Sequence, residues 1–187
     1  MSAGRLCDYS GMTWDLIEQH GGLQWPYRAG DADPLRTRRL YTDGRFETPD
    51  GRAQLIPVQW EPFPDQPDSA FPLILNTGRT VEHWHTRTKT GRVPLLERLS
   101  PHAWVEMNPA DATALSLTSA DYVTVTSRRG QISGVELRIT ETIAPGQVFV
   151  PFHYVDANAN RLTQAAFDPI SREPNYKQAA VRVERTR

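Results

Sequence analysis

Residues 122–139 read YVTVTSRRGQISGVELRI, and this stretch decides the fold class. Apolar and β-branched residues alternate with polar ones on both sides of Arg128-Arg129-Gly130. Such alternation around a glycine-containing turn predicts two strands that pair as a hairpin. Outward from the hairpin, four further apolar runs are predicted as strands, at residues 71–75, 104–107, 148–152 and 179–183. Six short strands without an internal repeat indicate a small closed barrel that is mainly β.

Two short helices complete the predicted elements. Thr13 is the expected N-cap of a helix that runs to residue 19 and stops at Gly21-Gly22. Asn108 is the expected N-cap of a second helix, over residues 109–115, with a proline at its first position.

The chain divides by composition into three parts. Residues 1–60 are loop-rich. Residues 61–70 begin with EPFPDQPD, which has three prolines and three acids, and we expect them to form an extended, solvated linker. Residues 71–187 are expected to form the barrel domain.

The composition excludes several classes of protein. The 187 residues carry 21 Lys and Arg against 22 Asp and Glu, whereas nucleic-acid-binding domains usually have a clear basic excess. No apolar run of roughly 18 residues is present, and the N-terminus lacks the apolar stretch of a signal peptide, so we expect no membrane helix and a cytoplasmic location. The single cysteine, Cys7, leaves no cysteine-only metal or iron–sulfur site within the chain.

A dense set of hydrogen-bond donors follows the first predicted strand of the barrel. Gly78 can let backbone N–H groups approach an anion closely, and Arg79, Arg87, Lys89 and Arg92 add positive charge. This pattern is typical of a loop that binds a phosphate- or diphosphate-bearing ligand; the alternative is a solvated basic loop. We expect Arg87 and Arg92 to be more exposed than Arg79.

His83 and His85 lie two residues apart in the same loop. On a strand they would face the same way and could share a metal ion. Because no third ligand lies nearby in the sequence, we favour hydrogen bonding to a ligand or to the backbone, and we expect no metal site.

A second candidate segment runs from Phe152 to Thr163 and contains Asn158 and Asn160. Asparagine side chains offer donors and acceptors, which suits the edge of a heterocycle. The alternative is that both asparagines only form turns.

The order of these motifs resembles the C-terminal molybdopterin-dinucleotide-binding domain of the dimethyl sulfoxide reductase superfamily, in its assimilatory and periplasmic nitrate reductase branch. The resemblance covers about residues 70–185, and residues 40–53 resemble the segment that precedes this domain. The motifs that carry it are Thr77-Gly78-Arg79, His83-Trp84-His85-Thr86, Asn108-Pro109-Ala110-Asp111-Ala112, Ser127-Arg128-Arg129-Gly130, residues 152–163, Asp168-Pro169-Ile170-Ser171 and Lys177.

The resemblance implies a six-stranded double-psi β-barrel that holds part of a bis(molybdopterin guanine dinucleotide) cofactor. It implies guanine-edge contacts at Asn108 and Asp111, and a position for Phe152 beside the approach of the substrate. The other implied cofactor-binding residues are Thr77, Gly78, Arg79, His83, Trp84, His85, Thr86, Asn160 and Lys177.

The chain also departs from this family. The family's catalytic chain has a four-cysteine iron–sulfur motif and, in this branch, a cysteine ligand to molybdenum, whereas only Cys7 is present here. We therefore expect the last quarter or so of a nitrate reductase of nitrate assimilation, inactive alone and partnered by the N-terminal catalytic region, which would bind the iron–sulfur cluster. The alternatives are the same domain of another molybdopterin oxidoreductase such as a formate dehydrogenase, a stand-alone, non-catalytic pterin-cofactor-binding module, or a degenerate fragment without a ligand.

Overall fold

The computed structural model describes residues 2–5, 8–31 and 40–186, so that Cys7 lies outside the described residues. The chain divides into two compact units, residues 1–60 and 61–187. In the first unit, helix α1 spans Trp14–His20. The Thr13 hydroxyl accepts a hydrogen bond from the Leu16 N–H at 3.3 Å, and Gly21 ends the helix with φ 66°, as the sequence predicts.

The second unit is a closed barrel of six strands in the order β1-β5-β2-β4-β3-β6. The predicted mainly β, six-stranded barrel is therefore confirmed. The strands are β1 Leu73–Gly78, β2 Trp104–Met107, β3 Tyr122–Ser127, β4 Gln131–Ile139, β5 Gln147–Pro151 and β6 Gln178–Arg185.

Two neighbouring pairs of the barrel, β1–β5 and β2–β4, are parallel, and the other four pairs are antiparallel. Because β1 and β5 end where β6 begins, residues 79–103 and 152–177 emerge from the same end of the barrel. We call this the loop end. The connections 108–121 and 140–146 leave from the opposite end, where Met107 pairs with Val148 near the start of β5.

Alternating side chains fill the barrel. Leu75, Val123, Val125, Val148 and Val150 are fully buried, as the alternating sequence pattern predicts. The helices of this unit are short: α2 Pro94–Leu99, α3 Pro109–Ala114, and 3-10 turns at Thr90–Arg92 and Ala159–Arg161. Helix α3 has the predicted Asn108 cap, whereas α2 has no side-chain cap and was not predicted. None of the described helices is long and apolar enough to cross a membrane.

Asp65 departs from the solvated linker expected at residues 61–70. Most of this segment is exposed, but the Asp65 side chain is buried. Its Oδ2 accepts from the Ala180 N–H at 2.9 Å and from Arg129 at 2.6 Å, and its Oδ1 pairs with Arg128. Burial would raise the pKa of this carboxyl group, but these hydrogen bonds and charges outweigh it and hold the pKa below its ordinary value.

Candidate functional site

The ends of β1 and β5 and the start of β6 bring distant parts of the sequence together. The Thr77 N–H donates to the Lys177 carbonyl at 3.1 Å, and the Phe152 N–H donates to the Gly78 carbonyl at 3.1 Å. The buried Thr77 hydroxyl donates to the Tyr176 carbonyl at 2.9 Å. Four of the predicted site residues, Thr77, Gly78, Phe152 and Lys177, are therefore neighbours at the loop end.

Gly78 has a reason in the packing of the barrel. A Cβ atom at this position would lie 2.4 Å from Cε2 of the Phe149 ring, far inside van der Waals contact. Glycine is thus required here so that the ring can pack across β1. The contact with Phe149 does not test the other expectation for Gly78, that it lets an anion approach the backbone closely.

Two exposed cations flank this region. The Arg79 guanidinium lies 5.7 Å from the centre of the Trp84 ring, and Lys177 Nζ lies 5.0 Å from the centre of the Phe152 ring. Neither cation forms an ion pair with a described carboxylate. Both remain able to bind an anion, and the ring contacts restrict where their charges lie.

Arg87 behaves differently from the sequence-based expectation. Its side chain is only 21% exposed, it pairs with Glu97, and its guanidinium lies 4.9 Å from the centre of the Tyr154 ring. The expectation that Arg87 is more exposed than Arg79 is wrong, because helix α2 supplies a carboxylate that the sequence analysis did not place nearby.

His83 and His85 do not share a face. His83 is buried; its Nε2 donates to the Ser100 carbonyl at 3.1 Å, and its Nδ1 lies 3.1 Å from the Thr90 hydroxyl. His85 is exposed and has a left-handed backbone with φ 49°. Among the described residues, no group of three or more His, Cys, Asp or Glu side chains could hold a metal ion.

Trp84 and Thr86 are both exposed at the surface of this loop. The Trp84 N–H donates to the Thr90 hydroxyl at 3.1 Å, and the hydroxyls of Thr86 and Thr88 lie 2.8 Å apart. The Thr90 hydroxyl thus links Trp84 to His83 and fixes the shape of the loop beside Arg79.

His153 is a candidate that the sequence analysis did not single out. Its side chain is 6% exposed, and neither ring nitrogen has a hydrogen-bond partner among the described residues. The rings of Tyr154 and His83 pack against it, with centroid distances of 4.2 and 5.1 Å. Its position directly after a predicted buried strand could have indicated His153 as a candidate. The sequence does not reveal, however, whether a buried imidazole has hydrogen-bond partners.

The environment keeps His153 uncharged. The pKa of His153 is lowered from 6.5 to about 4. Burial is the largest cause, and the nearby His83 and Arg87 contribute in the same direction. Tyr154 completes this buried cluster: its hydroxyl donates to the Ser100 carbonyl at 2.8 Å, and burial raises its pKa.

Asn108 and Asp111 lie at the opposite end of the barrel, where their polar atoms hold the chain. Asn108 accepts from the Ala110 N–H at 2.9 Å and donates to the Ile143 carbonyl at 2.7 Å. Asp111 Oδ2 accepts from the Gly146 N–H at 2.7 Å. The structure therefore does not place these two residues with the loop-end set. Asn160 is exposed, and Asn158 caps the 3-10 turn that contains it.

Comparison with known proteins adds to this geometry. Residues 73–180 match the family described as Molydopterin dinucleotide binding domain. The chain is 40% identical over 177 residues to the F420-dependent formate dehydrogenase subunit alpha of Methanocaldococcus jannaschii, covering 95% of this chain and 26% of that protein. It is 39% identical over 190 residues to the nitrate reductase of a Synechocystis species, covering 98% of this chain and 26% of that protein.

A solved structure shares the fold. The acetylene hydratase from Pelobacter acetylenicus superposes with a TM-score of 0.54 at 17% identity, over 63% of this chain and 18% of that one. The chain spans about a quarter of the length of the two curated relatives. Because the matched residues run from the start of β1 into β6 and take in the loop end, the chain belongs to the molybdopterin dinucleotide-binding domain family of the molybdopterin oxidoreductases.

Proposed function

We propose that this chain is the molybdopterin guanine dinucleotide-binding C-terminal portion of a molybdenum enzyme that reduces nitrate to nitrite. The observation that supports it most is the convergence of Thr77, Gly78, Phe152 and Lys177, with Arg79 adjoining them, at the loop end. A binding site assembled from both ends of the domain sequence is what a large, extended cofactor requires.

The side chains at the loop end fit such a cofactor. A diphosphate carries negative charge, and Arg79 and Lys177 are exposed cations without described carboxylate partners. The Thr80 hydroxyl and the His153 ring are buried there without hydrogen-bond partners among the described residues. Buried polar groups in native proteins usually have partners, so the region has unused capacity for a polar ligand.

Other roles in the site follow from family resemblance. His83, Trp84, His85, Thr86 and Asn160 are proposed to contact the cofactor, with Phe152 beside the approach of the substrate. A guanine edge is proposed to meet Asn108 and Asp111 at the opposite end of the barrel. The five residues of β5 separate the two ends by about 15 Å, so only an extended ligand could reach both.

When bound, the cofactor supplies the molybdenum that exchanges two electrons with the substrate. The residues of this chain bind and orient the dinucleotide. We propose that the remaining parts of a larger enzyme provide the molybdenum ligand and the iron–sulfur cluster, and that the chain alone is inactive. Its coverage of about a quarter of each curated relative supports this division.

Guanosine diphosphate binding to the purified chain tests the cofactor site. We expect Arg79→Ala and Lys177→Ala each to weaken binding by about tenfold or more, because each removes a charged hydrogen bond. Isothermal titration calorimetry gives the affinities, and circular dichroism checks the fold. Arg45→Ala, an exposed arginine in the first unit, is the matched control. Equal affinities for all four proteins would refute the assignment of the two cations.

The substrate is tested in the enzyme that contains this chain. If the enzyme reduces nitrate, it should form nitrite from nitrate with reduced viologen as the electron donor. The alternative, a formate dehydrogenase, should oxidise formate and reduce oxidised viologen. The formate alternative is supported by the relative from Methanocaldococcus jannaschii, which is as similar to this chain as the nitrate reductase is. Formate oxidation without nitrite formation would replace our proposed substrate and leave the cofactor site in place.

A further inference from the structure

His153 is the buried imidazole that the described part of the chain leaves without a hydrogen bond. Its side chain is 6% exposed, and both Nδ1 and Nε2 are buried. A buried donor or acceptor that makes no hydrogen bond destabilises the fold, because it has lost its contact with water. Buried polar groups of native proteins nearly always have a partner, so His153 calls for one from outside the described residues.

The neighbouring His83 shows that this region can satisfy an imidazole. Both nitrogens of His83 have partners, the Ser100 carbonyl and the Thr90 hydroxyl. His153 instead contacts aromatic rings, those of Tyr154 at 4.2 Å and His83 at 5.1 Å. The two histidines differ in their partners although their rings touch.

The charge state of His153 restricts the chemistry of a partner. With its pKa lowered to about 4, first by burial and then by His83 and Arg87, the ring is neutral at pH 7. A neutral imidazole has one N–H donor and one acceptor nitrogen. Phosphate oxygens at this pH mainly accept hydrogen bonds and favour cations, so a phosphate would leave the acceptor nitrogen unused. An uncharged heterocycle with both donors and acceptors matches the ring.

His153 is also correctly placed for the cofactor. It directly follows Phe152, whose N–H binds the Gly78 carbonyl beside Arg79. The cations that suit a diphosphate and the neutral imidazole that suits a heterocycle therefore lie at the same end of the barrel. In a pterin dinucleotide the diphosphate is likewise next to the pterin half. The cations and the imidazole therefore follow the order of the groups along the ligand.

We infer that His153 recognises the pterin ring of the cofactor, with one ring nitrogen donating and the other accepting a hydrogen bond. This inference rests on the proposed function and assigns one part of the ligand to one side chain. Thr80, with its buried and unpartnered hydroxyl, is a second polar group in the adjoining loop.

Access to His153 requires the loop that carries His83 to shift. Two residues of this loop, His85 and Arg87, have left-handed backbones with φ 49° and 63°. Such conformations are unfavourable for residues other than glycine and occur often at ligand-binding loops. The segment around His85 and Arg87 is therefore where we expect the loop to change.

The test compares binding of free pterin, followed by its fluorescence, with binding of guanosine diphosphate to the same purified chain. We expect His153→Leu to weaken pterin binding by about tenfold or more, to leave guanosine diphosphate binding unchanged and to raise the urea midpoint of unfolding. Arg79→Ala should weaken guanosine diphosphate binding and leave pterin binding unchanged. His153→Gln, which keeps a donor and an acceptor, should retain part of the pterin affinity and decides the matter if the leucine variant does not fold. His102→Leu, an exposed histidine outside the site, is the matched control.

The outcomes separate this inference from the proposed function. If the wild-type chain binds both probes and His153→Leu binds pterin as well as the wild type does, the inference is wrong and the cofactor site stands. Binding of guanosine diphosphate without pterin, or loss of both ligands in folded His153→Leu, also refutes the role of His153 in pterin recognition. If the wild-type chain binds neither probe, the proposed binding function fails together with the inference.

Discussion

Asp65 and His153 are two buried polar side chains of the same barrel unit, and they differ in what surrounds them. Asp65 is 6% exposed and accepts hydrogen bonds from the Ala180 N–H, Arg129 and Arg128. His153 is also 6% exposed, and neither of its nitrogens has a partner among the described residues. The two side chains are therefore equally buried, but only Asp65 is hydrogen-bonded.

Asp65 stabilises the fold through its hydrogen bonds, whereas His153 forms none that could stabilise it. Asp65 joins residues 61–70 to the turn between β3 and β4 and to β6, and its removal would leave buried donors unpaired. Removal of the His153 imidazole would leave no described partner unpaired. Substitution at the two positions should therefore change the free energy of unfolding in opposite directions.

The largest expected effect is that of Asp65→Asn. Asp65 is buried, whereas the Arg128 and Arg129 side chains are 35% and 29% exposed and can be partly hydrated after the change. We therefore expect a loss at the lower end of the range for a broken buried pair, about 3 kcal/mol in the free energy of unfolding at pH 7. Urea denaturation of the whole chain measures this loss. Because the folded pKa of Asp65 lies below its unfolded value, the stabilisation is present above the unfolded pKa and is lost as the pH falls through the folded one.

Glu141→Gln is the control for this substitution, since Glu141 is exposed and should change stability little. The difference between wild type and Asp65→Asn should shrink on acidification below about pH 4. Equal midpoints for Asp65→Asn and wild type at pH 7 would show that residues 61–70 are solvated, as the sequence alone predicts.

The sequence predicts the barrel well because local patterns determine its strands. The runs 122–127 and 131–139 alternate, the apolar run 104–107 ends at Asn108-Pro109, and the structure has strands at all three. Asn108 was identified as a helix cap from its own side chain and the proline that follows, and both interactions are local. Helix α2 was missed because its six residues depend on contacts with the loop before it.

The residues of the candidate site are predictions that come from a family resemblance. The strand pairing brings four of them together, Thr77, Gly78, Phe152 and Lys177. The ion-pair partners of Asp65 and Arg87 lie at least 10 positions away in the sequence, in the pairs Arg129–Asp65 and Arg87–Glu97. The His83 ring that packs against His153 comes from a different loop. Composition and spacing do not encode such contacts, so the charge and hydrogen bonding of these groups required the structure.

The second effect concerns His153 and pH. In the unfolded chain its pKa has the ordinary value of 6.5, and in the folded chain it is about 4. Between these values the unfolded state binds more protons, so stability falls as the pH is lowered from 6.5 towards 4, by about 3 kcal/mol in total. His153→Leu lacks this term, and its advantage over wild type in urea midpoint should therefore grow across this range.

Urea titrations of both proteins at pH 7, 5.5 and about 4 measure this growth. His102→Leu should follow the wild-type pH dependence, because His102 is exposed. A constant difference between wild type and His153→Leu at all three pH values would mean that the His153 ring is hydrated or hydrogen-bonded in solution. The contrast between Asp65 and His153 would then disappear.

The smallest effect is expected at Gly78, which lies at the loop end yet contacts the barrel wall. An alanine Cβ would lie 2.4 Å from the Phe149 ring, so the ring or the strand must shift, and we expect Gly78→Ala to lower the free energy of unfolding by about 2 kcal/mol. Adding Phe149→Leu removes the clash and should restore much of this loss. Ser133→Ala, at an exposed position of β4, is the control.

The double variant Gly78→Ala/Phe149→Leu decides to which class Gly78 belongs. If glycine serves packing alone, as Asp65 serves the fold, the restored protein should bind guanosine diphosphate with wild-type affinity. If glycine also lets the backbone approach a phosphate, the added methyl group should weaken binding although stability has returned. Calorimetry on the double variant separates these outcomes. In this protein the clash with the Phe149 ring has been removed, so that any loss of binding comes from the methyl group at the end of the strand.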